Sequence, residues 1–125
     1  MSKILLLVGG GGASGAVLRY MIWRWLGVSQ VGFPKATFIV NMVGSLLIGV
    51  LFALLTEEKD HTTRLFAITG FLGGFTTFSS FTWESFMLFQ EGKWKIALTY
   101  IVASNISGLV FVLLGFFIVK ALKNG

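Results

Sequence analysis

The residues best suited to chemistry fall in one stretch, Thr69-Gly70-Phe71-Leu72-Gly73-Gly74-Phe75-Thr76-Thr77-Phe78-Ser79-Ser80-Phe81-Thr82-Trp83-Glu84. Phe75, Phe78 and Phe81 recur every three residues, so on a helix they share a face. Thr76, Ser79 and Ser80 lie between them and Thr82 follows. Such a stripe commonly packs and does nothing more. Alternation with hydroxyls opens a second reading. An aromatic ring has a positive edge, and hydroxyls donate hydrogen bonds. Together they can replace the water around a small, hard anion.

Gly73-Gly74 followed by Thr76-Thr77 is a weak helical sequence, because glycine and β-branched residues disfavour helix. A break at Gly73 to Thr76 would free backbone carbonyls, which are hard oxygen ligands for an alkali cation. The other reading is an unbroken helix packed tightly through its glycines. Asn41 has an amide with two donor hydrogens, available to an anion or to another helix. Tyr100, Ser104, Asn105 and Ser107 recur at helical spacing. Glu84 is an acidic residue within an apolar segment, which marks a functional candidate or a membrane-interface position. Arg19 can pair with a carboxylate, bond helix-end carbonyls, or reach headgroups.

These residues need elements to hold them, and composition says which. Of 125 residues, 55% are apolar and 12% charged, half the charge of an average soluble domain at about 25%. Ten basic and five acidic side chains cannot cover a soluble surface of this size. The expectation is an all-α membrane protein, one transmembrane domain over 1–125. Four apolar spans fit, at 4–26, 37–55, 65–90 and 96–119, each near the ~20 residues a crossing requires. The linkers are 27–36, 56–64 and 91–95, with 56–64 the one strongly solvated loop. Pro34 suits the turn before the second span. The apolar run Ile4–Val8 is too short for the core of a cleavable signal, so it reads as the start of the first span.

The chain has no cysteine, which excludes thiolate chemistry. Its one histidine, His61, lies in the polar loop, away from any metal or proton site. No nucleophile–base pair appears, so an enzyme is not expected. The net charge of +5 is scattered over segment ends, which suits anchoring among headgroups and not nucleic acid. Lys3, Lys59, Arg64, Lys120 and Lys123 fall on one side. Arg19, Arg24, Lys35, Lys93 and Lys95 fall on the other. Orientation follows such a bias, and five against five supplies none. Either the chain inserts both ways and pairs as an antiparallel dimer, or one orientation wins on a small bias.

The chain resembles the Fluc (CrcB) fluoride channel family. The likeness rests on Gly-Gly-Ala-Ser-Gly-Ala-Val-Leu-Arg at 11–19, on Thr37 to Asn41 with Gly44, on Gly73 to Glu84, and on the polar fourth span. It implies a dual-topology antiparallel homodimer with a broken third helix and two fluoride pathways. It implies passive fluoride export across the plasma or inner membrane, protecting the cell from fluoride. Phe78, Phe81 and Asn41 match pore positions, and Ser80, Thr82, Tyr100 and Ser104 a polar track. Glu84 matches an acidic position at a pore end, and Arg19 a first-span arginine. The Gly73 and Thr76 carbonyls match ligands of a structural sodium ion at the dimer centre. The competing transporter reading is a small multidrug-type proton-coupled exporter. It needs a buried carboxylate, typically in the first span, and that span has no acidic residue. A membrane assembly subunit that carries no ion is the third reading.

Overall fold

The computed structural model describes residues 1–27 and 32–125. The part of the 27–36 linker at 28–31 lies outside the described residues. All regular structure among the described residues is helical: α1 (Ser2–Leu26), α2 (Lys35–Leu54), a 3-10 turn (Glu58–Asp60), α3 (His61–Arg64), a π-helical segment (Leu65–Leu72), α4 (Gly73–Phe75), α5 (Phe78–Gln90) and α6 (Trp94–Asn124). Four helical runs are long and apolar enough to cross a membrane: Ser2–Leu26, Lys35–Leu54, Glu58–Gln90 and Trp94–Asn124.

The boundaries differ from the sequence reading at the polar ends. α6 continues to Asn124, where Lys123 donates to the Ala53 carbonyl and so caps α2. Loop 56–64 is largely helical. Asp60 accepts from the Glu57 backbone N–H (3.1 Å), a capping box that starts the third run early. Arg64 Nη1 donates to the Leu55 and Glu57 carbonyls, 2.9 Å each, closing the turn.

α1 lies against the π-helical segment and α4, and α2 lies against α6. Small residues permit both approaches, as expected where lipid leaves close packing to drive association. A Cβ on Gly15 would collide with the Phe71 carbonyl, and one on Gly49 with the Val112 carbonyl. Two apolar clusters result. Val40, Leu72 and Phe75 join α2 to the first part of the third run. Leu88, Ala97 and Tyr100 join α5 to α6, with Phe38 and Phe81 against them.

Between these clusters the backbone leaves helical geometry. Thr76 has φ −82°, ψ 158° and Thr77 φ −146°, ψ 118°, both extended. Of the Gly73–Thr76 stretch expected to break, only Thr76 is extended, together with Thr77 beyond it. Gly73 and Gly74 stay helical, since Gly74 is spent on a close approach to the Gly12 backbone of α1. The extended residues are the β-branched pair, whose side chains suit extended backbone.

A candidate anion site around the extended threonines

Two extended residues inside a membrane helix strand polar backbone groups, and lipid offers them no partner. The chain supplies partners from two other helices. Asn41 of α2 meets Thr77 twice: its Oδ1 accepts from the Thr77 N–H (2.9 Å) and its Nδ2 donates to the Thr77 carbonyl (3.1 Å). Arg19 of α1 donates from Nε to the Gly74 carbonyl (3.1 Å) and lies over the Trp23 ring, 5.2 Å from its centroid. Of the three partners open to Arg19 in the sequence, the helix carbonyl is the one found. Asn41 makes the interhelical bond, and one of its amide hydrogens stays uncommitted.

Thr77 also starts α5. Its Oγ1 accepts from the Ser80 N–H (3.2 Å), an N-cap bond. The diversion has a consequence for two carbonyls. In a continuous helix the Gly73 carbonyl would accept from the Thr77 N–H, and the Thr76 carbonyl from the Ser80 N–H. Asn41 and the Thr77 side chain take those donors. Gly73 and Thr76 both line the open groove beside the extended residues. Two under-used carbonyl oxygens at one groove are chemically suited to a hard alkali cation.

That groove encloses about 400 Å³. Asn41, Phe78, Phe81, Ser104 and Asn105 line it with Gly73, Thr76 and Thr77. Phe78 is 76% exposed, although it starts a helix of a membrane segment. Its ring centroid is 5.9 Å from that of Phe81, and Phe81 is 5.0 Å from Tyr100. Phe75, the first of the stripe, is 2% exposed and belongs to the apolar core. The stripe therefore divides: one ring packs and two face the groove.

A second cavity, about 510 Å³, lies on another side of α5 and is lined by Ser80 and Glu84. Glu84 is clamped from two helices. Thr37 Oγ1 donates to its Oε2 (2.9 Å) and the Tyr100 hydroxyl to its Oε1 (3.0 Å). Both donors are buried, at 1% and 0% exposure. Tyr100 thus reaches Glu84 and lines neither of these cavities. Thr82 is exposed, and its hydroxyl donates to the Ser79 carbonyl (3.0 Å). It lines neither cavity either. The sequence-predicted residues thus fall into two groups on α5, with Thr82 apart.

Two residues of the site escaped selection in the sequence. Thr77 is both N-cap and clamp, and its place just before the Phe78 helix was the available signal. Thr37 lies four residues before Asn41, so both share one face of α2.

The arrangement pairs a kinked helix with uncommitted amide, hydroxyl and ring-edge groups at an open groove. The description "CrcB-like protein, Camphor Resistance (CrcB)" matches residues 6–116 of the chain. The chain belongs to the CrcB family. A relative in Azobacteroides pseudotrichonymphae genomovar. CFP2 is 40% identical over 96% of this chain and 98% of its own length. One in Hydrogenobaculum sp. (strain Y04AAS1) is 43% identical over 94% and 97%. One in Chloroflexus aurantiacus (strain ATCC 29366 / DSM 635 / J-10-fl) is 42% identical over 89% and 90%. Each bears the name fluoride-specific ion channel FluC. The matched span takes in every CrcB-family residue at the groove, from Asn41 to Asn105.

Proposed function

We propose that this CrcB-family protein is a fluoride-selective channel. It exports fluoride passively down its electrochemical gradient and protects the cell from fluoride toxicity. The observation that carries the reading is the pair Phe78 and Phe81 presented to a groove beside Asn41 and Ser104. Near-full-length similarity to relatives named fluoride-specific ion channels supports it.

Fluoride is small and binds water tightly, so a pathway must replace that water with donors. Ser80 and Ser104 supply hydroxyls, and Asn41 its uncommitted amide hydrogen. Phe78 and Phe81 offer positive ring edges. Glu84, hydrogen-bonded by Thr37 and Tyr100, orients the buried tyrosine at the pore end. Larger, softer anions gain less from such hydrogen bonds, which gives selectivity by field strength.

The working unit in this reading is an antiparallel homodimer of two oppositely inserted copies in the plasma or inner membrane. Balanced basic residues on the two sides support it, as does the exposed Phe78 at an open face. The Gly73 and Thr76 carbonyls of each copy would hold a structural sodium ion between them. That ion would supply a fixed positive charge and tie the two copies together.

The deciding experiment uses purified protein in liposomes loaded with fluoride or with chloride. Fluoride efflux without chloride efflux is expected. Absence of fluoride efflux would overturn the reading.

A further inference from the structure

The second cavity has aromatic walls and a further carboxylate that fluoride passage does not require. Its volume of about 510 Å³ lies in the range of small-molecule sites, about 300–1,000 Å³. Trp23, Trp83, Met87 and Leu88 form apolar and aromatic walls, and Glu84 and Glu91 bring two carboxylates. No basic side chain is among the described residues lining it. A hydrated fluoride gains nothing from indole faces or from a second carboxylate at Glu91. An organic cation gains from both.

We propose that this cavity binds a small quaternary ammonium cation carrying an aryl or alkyl group. The ammonium charge meets the carboxylates and the electron-rich indole faces. The apolar groups fill the space against Met87 and Leu88. A bare metal ion is a poor match, because hard cations require six or more converging oxygens and most of this wall is carbon and sulfur. A quaternary centre has no N–H to satisfy, which suits walls with few acceptors.

Existing contacts leave room for such a ligand. Each Glu84 oxygen accepts one hydrogen bond and retains further acceptor capacity. Glu91 pairs with Lys93 (3.0 Å) at a partly exposed position, where a ligand cation exchanges with the lysine at small cost. Arg19 lies over the Trp23 ring, so Trp83 is the more available face, and it is 62% exposed. Ser80 and Glu84, assigned above to the fluoride pathway, line the same cavity. An occupant therefore obstructs fluoride, a consequence that rests on the channel reading.

The probe is benzyltrimethylammonium, with benzyl alcohol as the neutral aryl control. Tryptophan fluorescence of the purified full-length protein should change saturably with the cation and not with the alcohol. Glu91→Gln and Trp83→Leu should each weaken the apparent affinity about fivefold, in line with one cation–π or carboxylate contact. Neither residue belongs to the proposed fluoride pathway, so basal efflux should persist in both. An equal response to benzyl alcohol, or affinities unchanged in both variants, overturns the site. Cation binding by protein that conducts no fluoride supports the site and sinks the channel reading instead. Binding that leaves fluoride efflux undiminished overturns the placement of the site on the pathway.

Discussion

Replacing Asn41 by alanine tests the central contact directly. Asn41 supplies both partners of the Thr77 backbone, at 2.9 and 3.1 Å. Thr77 is 9% exposed, so little solvent can replace these bonds. Leaving a buried donor and a buried acceptor unpaired costs about 1–3 kcal/mol each. The chain has an escape. Thr76 and Thr77 can return to helical geometry, and the Thr77 N–H can then reach the Gly73 carbonyl. The extended state therefore loses about 2–4 kcal/mol against the helical one, with the lower figure expected if lipid-bound chains find substitutes. At about 1.4 kcal/mol per tenfold, its ratio to the helical state falls at least about thirtyfold. The fold should survive, because both apolar clusters are untouched. In liposomes, Asn41→Ala should pass fluoride at less than about one-tenth the wild-type rate, the larger population loss being partly recovered by alternative contacts. Size-exclusion behaviour should be unchanged, and exchange of the Thr77 amide should change. Asn41→Asp keeps the acceptor for the Thr77 N–H but opposes the Thr77 carbonyl with a carboxylate oxygen, so it should not rescue. Flux within twofold of wild type in Asn41→Ala would refute the argument that this amide holds the extended residues.

Other perturbations separate the remaining roles. Phe78→Ile and Phe81→Ile keep apolar volume but remove ring edges, and each should reduce fluoride efflux about tenfold, roughly 1.4 kcal/mol, with assembly intact by size exclusion. Phe75→Leu, by contrast, should lower the melting temperature and leave conduction in the folded fraction, since Phe75 packs in the core. Gly15→Val puts a side chain into the Phe71 carbonyl, an overpacking that costs at least about 1–3 kcal/mol, so folded yield in detergent should collapse. Adding three lysines to loop 56–64 should bias insertion. Efflux should then fall unless an oppositely biased copy is co-expressed, and full activity from one orientation would argue against the antiparallel pair.

The four-helix plan was legible because lipid imposes it. Apolar runs of about 20 residues with few charges leave few alternatives. Gly11, Gly15, Gly49 and Gly115 were legible as packing residues for the same reason, whereas Gly9 and Gly10 meet no neighbour. What could not be read was how the polar residues divide among themselves. Thr82 and Ser80 differ by two positions, yet one bonds back to its own helix and the other lines a cavity. Side-chain hydroxyls choose between local and distant partners on differences of about 1 kcal/mol, which periodicity does not record. The distortion falls at the end of the expected Gly73–Thr76 stretch and one residue beyond it, for a related reason. Glycine permits a break, but here Gly74 serves the contact with α1. The threonines become extended because Asn41, far away in sequence, has the two groups their backbone needs.

That dependence explains why the third run is tied to two other helices within four residues, at Gly74 and Thr77. Arg19 holds the Gly74 carbonyl on one side of the extended pair and Asn41 holds Thr77 on the other. Each tie consumes a backbone group that lipid would punish. Asn41 and the Thr77 hydroxyl, by taking the Thr77 and Ser80 N–H groups, leave the Gly73 and Thr76 carbonyls without their helical donors. The same hydrogen bonds that make the distortion tolerable therefore create its chemistry: two hard oxygens at a groove, with Phe78 turned out beside them. An uninterrupted helix with this sequence would satisfy those carbonyls internally, and Phe78 would have no reason to begin a new helix at the groove. The site follows from the two threonines only in the presence of Asn41 and Arg19, so substitution of any one of the four should disturb the others' positions before it disturbs the rest of the fold.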